Sequence, residues 1–279
     1  MLGAAACPTI PGVPTVGIAG TELHYERAGD GAPLLLIQGM GGSRLSWGEP
    51  FLAPLRESFD CISFDNRGIG LSAPTEDPFT TEHLAADALG LLDGLGIERA
   101  HLLGISMGGM VAQELALAAP ERLLSLTLGC TYCGGPGSQL PDPADIGPLA
   151  EAMASGNFDR VLRASWAVNL SPGFRADEGR YAKFAAMAAG TPVPREVVQL
   201  QMQAIFGHDT NQRLPGLAVP TLVVHGSVDR ILPVVNGRLI ASLVPGSRLE
   251  VLEDVGHMFW WERPERAAEL LREHALAAA

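Results

Sequence analysis

Short apolar runs recur along the chain, and stretches with helical periodicity separate them. The runs lie at residues 33–38, 59–64, 100–104, 123–128, 221–225 and 248–252, and a further strand is predicted at 23–27. Apolar runs of this length are typical of strands buried on both faces of a parallel sheet. The intervening pattern predicts helices over 51–57, 81–95, 108–118, 234–243 and 264–277. Such alternation predicts an α/β protein with helices on both faces of the sheet.

The alternation is interrupted once, between residue 131 and about residue 214. This stretch begins with a Gly- and Pro-rich segment and then has only helical patterns, over 158–170, 179–189 and 194–206. We therefore expect a helical insertion at 131–214, carried by a core formed from 15–130 and 215–279. Three prolines within residues 1–14 predict an irregular lead-in at the N-terminus.

Composition narrows the possible partners and location. The net charge of −12 argues against nucleic acid or an anionic membrane as a partner, because both require a positive surface. Four cysteines in 279 residues do not indicate a disulfide framework, and no stretch has the length of a membrane helix. We expect a cytoplasmic protein. The C-x-x-C spacing of Cys130 and Cys133 lacks two further ligands, so no metal site is predicted.

Gly104-Ile105-Ser106-Met107-Gly108 places a serine between glycines where a predicted strand ends and a predicted helix begins. This context predicts a nucleophile elbow, in which the serine lies at a sharp strand-to-helix turn. Small neighbours are needed because strand and helix approach closely there. The alternative is an ordinary Gly-rich turn, so the prediction depends on partners elsewhere in the chain.

A serine nucleophile needs a base, which is usually a histidine oriented by a carboxylate. Asp229 follows the predicted strand at 221–225, and His257 follows the strand at 248–252. Both therefore lie where open parallel sheets build their sites. The order Ser106, Asp229, His257 is that of an α/β-hydrolase. Glu253, Asp254 and Asp142 are weaker alternatives for the acid, and His225 is expected to have a packing role.

Acyl transfer also requires backbone N–H donors for the developing oxyanion. Met107 supplies one donor at the start of a helix. The best candidate for the second donor is Met40, in the loop Gln38-Gly39-Met40-Gly41-Gly42. The weaker alternative is that the loop is a plain Gly-rich turn.

On these motifs the chain resembles the α/β-hydrolase superfamily from about residue 15 to the C-terminus. Phe64–Ser72 is similar to that family's arginine-glycine turn, and Gly104–Gln113 is similar to enol-lactonases, methylesterases and small-molecule esterases. The resemblance implies a mostly parallel eight-stranded sheet with a helical cap after the sixth strand, and a reaction through an acyl-enzyme without cofactor or metal. One departure is Gln38-Gly39, where the family often has His-Gly.

The expected substrate is a small, largely apolar ester or lactone, turned over by a monomer or homodimer. Gln38, Gly39, Trp166 and Met258 are predicted to contact it, although the last two could serve only in packing. Two other uses of the fold remain open. The same three residues could support C–C bond hydrolysis, cofactor-free haloperoxidase chemistry or acyl transfer, or the protein could bind a small molecule without catalysis.

Overall fold

The structure is a computed structural model that describes residues 13–18, 20–191 and 193–278. The predicted irregular lead-in at 1–14 lies outside the described residues, apart from Val13 and Pro14. No helix in the described part of the chain has both the length and the apolar character needed to cross a membrane.

Eight strands form one sheet in the order β1-β2-β4-β3-β5-β6-β7-β8. The strands are β1 (Thr15–Ile18), β2 (Thr21–Ala28), β3 (Ala32–Ile37), β4 (Phe59–Phe64), β5 (Ala100–Ile105), β6 (Leu123–Gly129), β7 (Thr221–Gly226) and β8 (Arg248–Leu252). Only the pairs β1–β2 and β2–β4 are antiparallel, and the pairs from β4 through β8 are parallel. The predicted fold class is therefore confirmed. The sequence pattern missed β1, a four-residue strand at the sheet edge.

Helices cover both faces of the sheet. They are α1 (Glu49–Arg56), α2 (Thr81–Gly94), α3 (Met107–Ala118), α4 (Pro143–Ser155), α5 (Phe158–Asn169), α6 (Pro172–Arg175), α7 (Glu178–Ala189), α8 (Arg195–Gly207), α9 (Val235–Leu243), α10 (Phe259–Glu262) and α11 (Pro264–Ala277). Successive strand residues point to opposite faces. Leu35 accordingly packs in the hydrophobic cluster that includes residues of α2, α3 and α9, whereas Leu34 packs in the cluster with α1 and α11.

Five helices, α4–α8, lie between β6 and β7, and the described residues there form no strand. We call residues 143–207 the helical segment. Helices α5, α7 and α8 match the sequence patterns closely, but α4 was not predicted because prolines dominate its start. Pro143 occupies the first turn of α4 after the capping residue Asp142, a position where proline is favourable.

Candidate active site

Ser106 lies at the junction of β5 and α3 with φ 53° and ψ −122°. A positive φ is costly for a residue with a side chain, so the surroundings must enforce it. The glycines near Ser106 show how closely the surrounding backbone is packed. A Cβ on Gly104 would lie 2.1 Å from the Gly108 carbonyl oxygen, and one on Gly108 would lie 2.2 Å from the Ile37 carbonyl oxygen. Only glycine fits at these two positions, as the elbow motif requires.

Asp229 and His257 are directly hydrogen-bonded. The Nδ1 atom of His257 donates to Oδ2 of Asp229 at 2.7 Å, and both residues are buried. The other carboxylate oxygen accepts the backbone N–H groups of Ile231 and Leu232, each at 2.9 Å. Because Asp229 holds Nδ1, the Nε2 atom of His257 is left as the proton acceptor.

The charge of Asp229 is stabilised by its neighbours. Burial alone would raise the pKa of this carboxyl group, but the adjacent rings of His257 and His225 more than offset burial and hold the pKa below its ordinary value. His225 Nε2 lies 3.3 Å from Asp229 Oδ2 and 2.7 Å from the carbonyl oxygen of Leu232. His225 is buried and contacts the backbone, which fits the expected packing role, and it also contacts the acid, which the sequence did not indicate.

Cys130 fills the position between the serine and the acid, directly after β6. Its backbone N–H donates to Val224 O at 2.9 Å, and Ser106 N–H donates to Gly129 O at 2.9 Å. Burial raises the pKa of the Cys130 thiol well above its ordinary value, and the charge of Asp229 acts in the same direction. The thiol is therefore neutral, and it is not a competing nucleophile.

The loop after β3 packs directly against the serine. A Cβ on Gly39 would lie 2.9 Å from the Ser106 Cβ and 3.5 Å from its Oγ. The N–H of Gly42 donates to Gly39 O at 3.1 Å, which closes the loop into a tight turn around Met40. Met107 is the first residue of α3, where backbone N–H groups lack helical partners. Both predicted oxyanion donors therefore belong to segments that border Ser106.

The predicted substrate contacts lie in different surroundings. The Gln38 side chain is buried, and its Nε2 has no hydrogen-bond partner in the described parts of the chain. Trp166 is 4% exposed and packs at tilted and edge-on angles against three aromatic rings of the helical segment, whose centroids lie 5.4 to 5.9 Å away: Phe174, Tyr181 and Phe184. Met258 is also buried, next to His257. Gly39, the fourth of these residues, packs directly against Ser106.

Gln201, a residue that the sequence did not single out, connects the helical segment to residues 38–43 after β3, which we call the oxyanion loop after its predicted role. Its Oε1 accepts the N–H of Gly41 at 2.8 Å, although it lies in α8, 160 positions along the chain. A second connection joins Ser43 Oγ to Thr191 Oγ1 at 3.1 Å. A glutamine within a helical pattern gives no local signal of such a contact. Only the folded arrangement brings it to the loop.

No group of three or more His, Cys, Asp or Glu side chains is placed to hold a metal ion within the described ranges. Cys130 and Cys133 are both buried free thiols.

Comparison with known proteins agrees with this geometry. Residues 32–264 match the family described as alpha/beta hydrolase fold. The chain is 34% identical to BpoC of Mycobacterium tuberculosis, provisionally named a non-heme bromoperoxidase, over 88% of this chain and 94% of that protein. It is 31% identical to the rhodomycin D methylesterase DnrP of Streptomyces peucetius, over 95% of this chain and 99% of that protein.

Among solved structures, the enol-lactonase from Burkholderia xenovorans LB400 superposes with a TM-score of 0.82 at 27% identity, covering 94% of this chain and all of that one. The match to the family extends from β3 to the start of α11 and includes the serine elbow and the Asp229–His257 pair. The chain belongs to the alpha/beta hydrolase fold family.

Proposed function

We propose that this protein is a serine hydrolase that cleaves a carboxylic ester or lactone of a small, largely apolar substrate. The observation that carries the proposal is Ser106 in a strained strand-to-helix turn after β5, together with a buried hydrogen bond between Asp229, which follows β7, and His257, which follows β8 of the same sheet. These are the three groups that acyl transfer through a serine requires. The coarser statement, a hydrolase acting on ester bonds, also has the support of the related methylesterase and enol-lactonase.

The reaction proceeds in two halves. Nε2 of His257 takes the proton of Ser106 while Oγ attacks the carbonyl carbon, and the same ring then protonates the leaving alkoxide as the C–O bond breaks. Water, deprotonated by His257, attacks the acyl carbon, the bond to Ser106 Oγ breaks, and the proton returns to the serine. The ionised Asp229 stabilises the charged ring in both halves.

Backbone N–H groups of Met107 and Met40 hold the oxyanion in this proposal. Each is worth about 3 kcal/mol of transition-state stabilisation if it is well aimed. The tight packing of Gly39 on Ser106 supports this assignment, because it brings the Met40 loop next to the reacting atom.

The helical segment serves as a cap over the serine, within the predicted insertion at 131–214. Its contacts with the oxyanion loop through Gln201 and Thr191 support this role. Gln38, Gly39, Trp166 and Met258 are the proposed substrate contacts. The steps use only protein groups and water, and we propose a cytoplasmic enzyme that acts as a monomer or homodimer.

A panel of aryl esters with graded acyl length tests the proposal directly. We expect turnover by the parent protein and a loss of about 10⁴-fold or more in kcat for Ser106→Ala. Ser242→Ala is the matched control, because this exposed hydroxyl donates to Leu239 O of its own helix and has no other hydrogen bond among the described residues. Absence of turnover by the parent, or equal turnover by Ser106→Ala, would refute ester hydrolysis at this serine.

The similarity to BpoC favours one second candidate, cofactor-free haloperoxidase chemistry. In it, hydrogen peroxide replaces water in the second half, the bond to Ser106 Oγ breaks, and a peracid leaves that can oxidise bromide. Bromination of a phenol dye, assayed with acetate, peroxide and bromide, should then depend on Ser106. A bromination rate equal in parent and Ser106→Ala would remove this candidate.

A further inference from the structure

Glu262 is a buried carboxylate next to the predicted active site that the proposed reaction does not use. It lies at the end of α10 and is only 5% exposed. Its Oε1 accepts the N–H groups of Gly256 at 2.9 Å and Ser171 at 2.8 Å, and its Oε2 accepts the Ser171 hydroxyl at 2.5 Å. Burying a carboxylate is costly unless such donors compensate. Three donors from two distant segments therefore converge on this one group.

The peptide groups on either side of His257 are both hydrogen-bonded, one to Glu262 and the other to Asn169. The peptide N–H before it, that of Gly256, donates to Glu262, and the one after it, that of Met258, donates to Asn169 O at 3.2 Å. Gly256 has no room for a side chain here. A Cβ would lie 2.7 Å from Asn169 O and 2.9 Å from Glu262 Oε1. The backbone around His257 is thus packed against residues 169–171, at the end of α5 in the helical segment.

We propose that Glu262 is a positioning residue that fixes the His257 loop against residues 169–171. This inference rests on the proposed function, because it takes His257 as the base. Glu262 touches neither the His257 ring nor Ser106 through any hydrogen bond found among the described residues, so its effect is geometric. Displacing a reacting group by about 1 Å costs on the order of 10²-fold in rate. Because Ser171 follows α5, these contacts also make the position of the His257 loop depend on the helical segment.

Two conservative variants separate geometry from charge. Glu262→Gln keeps the length: its carbonyl oxygen can accept both N–H groups, and its amide can donate to the Ser171 hydroxyl. Glu262→Asp keeps the charge but is one methylene too short to span both segments. If Glu262 acts by position, the Gln variant should retain kcat within about threefold, and the Asp and Ala variants should lose about 10²-fold in kcat with KM changed far less.

The experiment measures kcat, KM and the pH profile of kcat/KM on an aryl ester, together with the thermal midpoint of each variant. Glu265→Ala, at an exposed glutamate three positions along, is the matched control and should equal the parent. Ser171→Ala should give an intermediate loss, since Glu262 keeps both N–H donors. This milder variant remains informative if Glu262→Ala does not fold.

Three outcomes would overturn the proposal. In the first, Glu262→Asp and Ser171→Ala lower the thermal midpoint while kcat stays at the parent value, which leaves only a stabilising role. In the second, Glu262→Gln loses as much kcat as Glu262→Ala. In the third, Glu262→Gln shifts the pH profile while Glu262→Asp does not, which would assign the effect to charge. Failure of the proposed function is distinct, since the parent itself would then show no Ser106-dependent turnover.

Discussion

Helices α3 and α7 have the same length and opposite environments. Ten of the twelve residues of α3 are buried, whereas only Phe184 is buried in the twelve residues of α7. Helix α3 presents Ser106, and packing on all sides fixes its position. Helices α4, α5, α7 and α8 of the helical segment have only one to three buried residues each, and some of these, such as Trp166 and Phe184, pack into the hydrophobic cluster that includes α1 and α11. The proposed nucleophile therefore belongs to a densely packed part of the core, and the proposed selectivity belongs to helices that are mostly exposed.

Adding one methyl group in each region tests this difference in packing with the largest expected effect. Gly108→Ala should lower the free energy of unfolding by about 3 kcal/mol or more, because the new Cβ would meet the Ile37 carbonyl oxygen at 2.2 Å. Gly207→Ala, at the end of α8 with no heavy atom within 4 Å of the new Cβ, should change it by less than about 1 kcal/mol and in the stabilising direction. Urea unfolding of both variants measures the difference, and equal effects would contradict it.

The contact between the two regions at Gln201 can be tested next. Gln201→Leu removes the acceptor for the Gly41 N–H, so the oxyanion loop should lose order and kcat should fall about tenfold, part of the loss expected for a whole donor. Gln201→Glu keeps an acceptor oxygen and should recover most of that loss.

Met202→Leu, at a partly exposed neighbour on the same helix, is the control for the Gln201 variants. If Gln201→Leu and Met202→Leu have the same kcat, the helical segment does not order the loop.

The last prediction concerns acid stability, to which a histidine in the core and one at the end of the helical segment should contribute alike. Burial lowers the pKa of His101, in β5, and of His208, just after α8, to about 4. In the unfolded chain these two histidines bind protons below about pH 6.5, whereas in the folded protein they do so only near pH 4. The free energy of unfolding is therefore highest above about pH 6.5, and each group lowers it by roughly 1 kcal/mol per pH unit as the pH falls toward 4.

Replacing either histidine by glutamine should flatten this dependence between pH 4 and 6.5. Denaturant titrations at several pH values measure the slope. A variant with the slope of the parent would show that its histidine is protonated alike in both states.

Much of the core could be predicted because its patterns are local. The short apolar run at Leu123–Leu128 is typical of a buried strand, and it lies in β6. The glycines around Ser106 indicate that a strand and a helix approach closely there, and in the structure Gly108 packs against the Ile37 carbonyl oxygen. The edge strand β1 was missed because a short pairing at the sheet margin leaves little hydrophobic signal. Helix α4 was missed because its prolines look like a loop until Asp142 is seen to cap it.

The candidate site was inferred from patterns of the same local kind. Ser106, Asp229 and His257 follow strands whose order a hydrolase pattern supplies, and the structure brings Asp229 and His257 into contact. Gln201 and Glu262 could not be found this way. Their partners, Gly41 and Ser171, lie 160 and 91 positions away, and backbone donors leave no mark in a sequence.

The central claim is that Ser106 is a nucleophile activated by the Asp229–His257 pair. Labelling with a serine-directed aryl phosphonate, read by intact mass and peptide mapping, tests it most directly. We expect a single adduct on the peptide that contains Ser106, absent in Ser106→Ala and formed much more slowly in His257→Ala. An adduct on a different residue, or labelling of His257→Ala at the parent rate, would contradict the claim.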